Sequence, residues 1–94
     1  MRIDLEQQRE LYAAHADTAV DALIERITTG RDELIELGMA RAFRDVGVHE
    51  YGDKTYFISA AQLREETDAE LADAIFYEQI RVARDAGTLP PVDD

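Results

Sequence analysis

Val48-His49-Glu50-Tyr51-Gly52-Asp53-Lys54-Thr55-Tyr56-Phe57-Ile58 is the stretch on which the fold class turns. β-Branched and aromatic residues flank a two-residue Gly-Asp loop of the II′ kind, the pattern of a β-hairpin. In that register His49 faces Tyr56 and Val48 faces Phe57, so both faces of the ribbon carry apolar side chains. A lone two-stranded hairpin is marginal in water. The expectation is therefore a ribbon that lies on helices or is extended by another chain at its open edge.

Helical patterns lie on both sides. Residues 4–28 read as one long helix, with Asp4 and Gln7 as a reciprocal capping pair and Gly30 just past the end. At the helical period Leu5, Tyr12, Ala16, Ala19, Val20, Leu23, Ile24 and Ile27 fall on one stripe, with Leu11, His15 and Ala22 as a weaker line on its shoulder. A break near Asp17-Thr18 is the alternative for this segment. A medium helix spans about 32–46, carries Ile35, Met39, Ala42, Phe43 and Val46 on its apolar side, and stops at Gly47. Gly38 and Ala42, one turn apart, offer either a close approach for another helix or a tolerated surface glycine.

Beyond the hairpin, Ser59 with Gln62 and Thr67 with Glu70 read as two successive capping boxes, which predicts a short helix at about 60–65 and a long one at about 68–86 ending at Gly87. Leu71, Ala72, Ile75, Phe76, Ile80, Val82, Ala83 and Ala86 form a wide apolar arc on the last helix, with Gln79 near its middle. The expected fold is thus mainly α with one β-hairpin at about 48–58: two long helices, one medium and one short. It forms a single domain over 1–87, followed by an extended acidic tail, 88–94.

Ten Lys+Arg stand against 21 Asp+Glu, a formal net charge of −11. That sign disfavours nucleic acid, whose binders gain affinity by neutralising phosphates and releasing counterions. Nine of the cations are Arg and only Lys54 is Lys. This fits either a GC-rich genome or adaptation to high salt, in which dense carboxylates keep a surface hydrated while salt screens their repulsion. With no Cys there are neither disulfides nor thiolate metal sites, and no apolar run is long enough for a membrane span. The first residues lack the apolar core of a secretory signal, so the expected location is the cytoplasm or an assembled particle.

Chemistry-bearing residues are sparse. The single serine, Ser59, sits where a helix cap belongs, and His15 and His49 lie on different elements, too few and too far apart for zinc. The acidic run Glu65, Glu66, Asp68, Glu70 and Asp73 lacks the ligand spacing and central Gly of a calcium loop, and reads as a solvated face. No Gly-rich phosphate loop is present. The reading is a protein without catalytic residues, cofactor or metal.

What remains is apolar surface in excess of one small core. It points to a non-catalytic assembly or adaptor subunit that self-associates or packs into a larger complex, virus particles among the settings in which such chains serve. The expected partner contacts are Tyr51, Tyr56, Phe57, Phe76 and Ile80, since large aromatic and aliphatic anchors carry most interface energy. Two alternatives stand beside it. Splitting the first helix near Asp17 produces three helices and a wing, the order of a winged-helix DNA-binding regulator, with 32–46 as the recognition helix. An acidic inhibitor of a basic partner is the other.

Overall fold

A computed structural model describes residues 2–45, 53–90 and 92. It contains helices α1 (Leu5–Thr29), α2 (Arg31–Ala40) and α3 (Ala60–Asp85), a π-turn at Arg41–Asp45 and a 3₁₀ turn at Lys54–Phe57. The mainly-α class holds, and no strand occurs among the described residues.

The β-hairpin is overturned. Its return limb, Lys54–Phe57, is wound into the 3₁₀ turn, with the Tyr56 amide donating to the Asp53 carbonyl at 3.1 Å. Strand preference expresses side chains packing on a pleated, half-covered surface, not a demand of the isolated backbone. Tyr56 and Phe57 are 74 % and 81 % exposed, so no such surface is offered to them. A local bond three residues back closes instead. Positions 48–52, the outgoing limb and Gly52 included, lie outside the described residues.

α1 begins where its sequence says it should. The Gln7 amide donates to Asp4 Oδ1 at 2.8 Å and the Asp4 amide to Gln7 Oε1 at 3.0 Å, satisfying two donors that a helix start leaves open. The helix runs unbroken through Asp17 and Thr18, so the three-helix order of a winged helix is not formed. Its covered side also differs from the expected stripe. Ala19 is fully buried and Leu11, His15, Ala22 and Leu23 half-buried, whereas Leu5, Tyr12, Val20, Ile24 and Ile27 are exposed. The packed side joins the shoulder line of Leu11, His15 and Ala22 to Ala16, Ala19 and Leu23 of the expected stripe.

Gly30 joins α1 to α2 without the left-handed turn expected of a glycine past a helix end. Its φ is −110°, its amide donates to the Arg26 carbonyl at 2.8 Å, and its carbonyl accepts the Leu34 amide at 2.9 Å. A Cβ here would displace the flexible end of the Arg26 side chain and stand 3.0 Å from the Arg26 carbonyl oxygen, a tight contact that glycine avoids. After Ala40 the helix does not stop but widens into the π-turn, the Arg41 amide shared between the Leu37 and Gly38 carbonyls. Val46 and Gly47, its expected end, lie outside the described residues.

The two helices expected after the hairpin are one. Ser59 and Gln62 form their capping box, with the Gln62 amide donating to Ser59 Oγ at 3.1 Å and the Ser59 amide to Gln62 Oε1 at 3.0 Å. Thr67 caps nothing. Its hydroxyl donates to the Leu63 carbonyl at 3.0 Å, the way a threonine inside a helix returns its proton to the preceding turn. α3 ends in a Schellman motif about Gly87, whose φ is +82°. There the Gly87 amide donates to the Arg84 carbonyl at 3.1 Å and the Thr88 amide to the Ala83 carbonyl at 2.9 Å. The segment expected to leave as an extended tail starts folded back, with the Leu89 amide also reaching the Ala83 carbonyl and the Arg84 guanidinium donating to the Pro90 carbonyl at 3.3 Å.

Contacts divide the chain into two compact units. The first comprises Met1–Glu25 and Leu71–Asp94. Within it Ala19, Ala83 and Leu89 are buried, and so is Gln79. His15 Nε2 meets Thr88 Oγ1 at 3.0 Å in the same unit. The second comprises Arg26–Glu70. Among its described residues only Gly30 is buried, and Leu34, Ala40 and Ile58 are half-buried. No core forms among the described residues of this unit.

Candidate interaction surface

In the second unit the surface is built on α2. Ile35 and Met39 are one turn apart, and Phe43 follows by the same spacing in the π-turn. A wider turn advances less angle per residue, so Phe43 stays closer to the line of Ile35 and Met39 than a continued α-helix would leave it. All three are more than half exposed, Phe43 at 59 %. A Cβ added at Gly38 would meet nothing within 4 Å, so no described residue makes the close approach considered for Gly38 and Ala42. Tyr56 and Phe57 stand exposed on the 3₁₀ turn of the same unit.

In the first unit Phe76 is exposed and meets Tyr77 edge-on, ring centroids 6.0 Å apart and planes at 72°. Ile80 is half-buried on the side of α3 that also buries Gln79 and Ala83. Of the five expected contacts, then, three are exposed and one half-covered, and Tyr51 lies outside the described residues. Ile35, Met39, Phe43 and Tyr77 were not among them. Their periodicity reads equally well as core, and only exposure separates the two meanings.

A groove of about 350 Å³ also opens in the first unit, lined by Arg2, Gln7, Glu10, Leu11, His15 and Leu89 among others. It brings a guanidinium, a carboxylate and an imidazole together, and the hydroxyl beside that imidazole is the one on Thr88. Thr88, which also lines the groove, donates its hydroxyl proton to the Ala83 carbonyl at 2.7 Å. The bond to His15 therefore needs its proton from the imidazole, which fixes Nε2 as the donor. Ser59 is committed as a cap. Among the described residues no three His or acidic side chains gather as metal ligands, and no helix is long and apolar enough to cross a membrane.

Electrostatics on α3 are local. Arg81 bridges Glu78 and Asp85, its Nε donating to Glu78 Oε1 at 2.6 Å and its Nη1 to Asp85 Oδ2 at 2.7 Å. The Glu78 hydrogen bond holds the guanidinium above its ordinary range against a small opposing effect of burial. A raised cation contributes stability below its ordinary titration and loses it only above, so Arg81 adds no pH dependence anywhere near neutrality. Glu78 and Asp85 hold this cation on the outer surface of the helix. Gln79, by contrast, is 3 % exposed and its Oε1 has no hydrogen-bond partner.

No protein-family model matches the chain, and no curated protein or solved structure is significantly similar to it.

Proposed function

We propose that this chain is a non-catalytic assembly or adaptor subunit, which acts by packing its apolar faces against other protein chains. The observation that carries the reading is the small extent of burial among the described residues. Among the described residues no large side chain is fully buried, while sixteen large hydrophobic ones are exposed. Isolated exposed leucines need no explanation, but exposure at most of the described large apolar positions does. The acidic surface supports the same reading, because carboxylates keep such a chain dispersed until its partner covers it.

Size-exclusion chromatography with light scattering, run at low and at high salt, tests this directly, together with affinity capture from the native host at its own ionic strength. The expected mass is a multiple of 10.6 kDa, or that of a complex with a defined partner. A clean monomer at both salts that also captures no partner overturns it.

A further inference from the structure

The groove of the first unit gathers opposite charges that the chain leaves unpaired. Its floor is apolar: Leu89 is buried, and Ile3 and Leu11 are half-buried. Its rim is polar, with Arg2, Gln7 and Glu10 exposed on it. Arg2 and Glu10 share the groove, yet neither forms an ion pair with the other or with any other described residue, whereas Arg26, Arg31, Arg64 and Arg81 all find carboxylates. Gln7 gives its Oε1 to the Asp4 amide and keeps both amide hydrogens uncommitted among the described residues. His15 and Thr88, which also line the groove, are bonded to each other and not to the rim.

We propose that this groove binds a small zwitterion with an apolar side chain, a free α-amino acid of the leucine kind. Its carboxylate lies on Arg2 and the Gln7 amide, its ammonium on Glu10, and its branched side chain over Leu11 and Leu89. This goes beyond the assembly reading and does not depend on it. A volume of about 350 Å³ stands at the small end of ligand sites, and an apolar floor with a few converging polar groups is their usual make-up. Residues three apart on a helix have Cβ atoms about 5–6 Å from each other, so Gln7 and Glu10 present a donor and an acceptor at a separation that adjoining carboxylate and ammonium groups can span. Charge then decides among ligands of this size. A plain carboxylate is repelled by a chain of net charge −11 and leaves Glu10 unanswered. A plain amine can settle on any of 21 Asp+Glu and gains nothing from this place. A zwitterion has no net charge to be repelled, and it alone satisfies both signs at once through charge-assisted hydrogen bonds.

The experiment titrates the full chain, followed by nitrogen–proton correlation spectra, with leucine, with 4-methylpentanoate (leucine without its ammonium) and with 3-methylbutylamine (leucine without its carboxylate). Leucine is expected to shift the amides of Leu11, His15 and Leu89 saturably in the millimolar range, as suits a ligand of so few atoms. Each analogue binds at least about fivefold more weakly, the loss of one charge-assisted bond. Arg2→Gln and Glu10→Gln each weaken leucine by the same factor, while Arg9→Gln, which removes an arginine outside the groove, leaves it unchanged. Glu10→Gln does not weaken 4-methylpentanoate, and Arg2→Gln does not weaken 3-methylbutylamine. The analogue series is read on the parent chain, so it decides even where a variant unfolds. Shifts that stay linear in leucine concentration, or an analogue that binds as tightly as leucine, overturn the proposal. So does leucine binding that is undiminished in both charge variants. None of these results bears on the assembly reading, which the mass measurement tests.

Discussion

His15 and Thr88, 73 positions apart in sequence, share a hydrogen bond of 3.0 Å that ties the first half of α1 to the end of α3 within one compact unit. Thr88 is placed there by the Schellman turn and its own proton goes to Ala83, so the imidazole must donate. Long-range nitrogen–proton correlation spectra are expected to show His15 protonated on Nε2. Thr88→Val removes both bonds and lowers stability by about 1–2 kcal/mol, a fall of several degrees in melting temperature. An Nδ1-protonated ring in the parent would contradict the arrangement.

Gly87 holds the left-handed conformation on which that placement depends. A Cβ there would touch nothing within 4 Å, so the whole effect of Gly87→Ala is backbone strain. Its magnitude is about 1–2 kcal/mol, with Gly87→Asn less severe because Asn tolerates this region. Thermal unfolding of the two variants checks the order, and Ala equal to Gly would sink the motif.

Ser59 and Thr67 carry the same capping signature in sequence and occupy opposite situations in the fold. Ser59→Ala should cost about 1 kcal/mol as a lost helix cap. Thr67→Ala should be neutral or stabilise slightly, since alanine is the better residue inside a helix. Were α3 two helices, the two substitutions would cost alike. Chemical denaturation of both separates the cases.

Gln79 is buried with an acceptor left without a partner. Gln79→Met keeps the length and removes the orphaned oxygen, so melting temperature should rise, by the equivalent of about 1 kcal/mol or more. A fall instead would mean that the amide is held by a bond that methionine cannot make.

The opposite fates of Ser59 and Thr67 show where the sequence was legible. The α1 start at Asp4 and Gln7, the α3 start at Ser59 and Gln62, and the stop at Gly87 all involve groups within five residues of each other. Chain connectivity alone brings such groups together, so short-range pattern is enough to read them. Thr67 bears an identical pattern but lies inside a helix that its neighbours on both sides already favour, and there its hydroxyl finds Leu63 one turn back.

The candidate surface was legible in kind and not in place. Spacing shows that Ile35, Met39 and Phe43 share a side, as it shows for the stripe of α1 that turns out largely exposed. It does not show whether anything lies against that side. The same gap explains the hairpin: Tyr56 and Phe57 suit a strand only if a sheet or helix receives them, and none does so among the described residues.

By itself, then, the sequence determined the helical class, the helix ends set by local hydrogen bonds, and the acidity that disfavours phosphate. The tertiary structure alone decided that Leu11, His15 and Ala19 form the covered line of α1, that α3 is continuous, and that among the described residues of the Arg26–Glu70 unit no large side chain is buried. The physical reason is range. Capping and periodicity act over one or two turns, whereas burial depends on which distant segment arrives, and that is settled by competition among faces of similar greasiness.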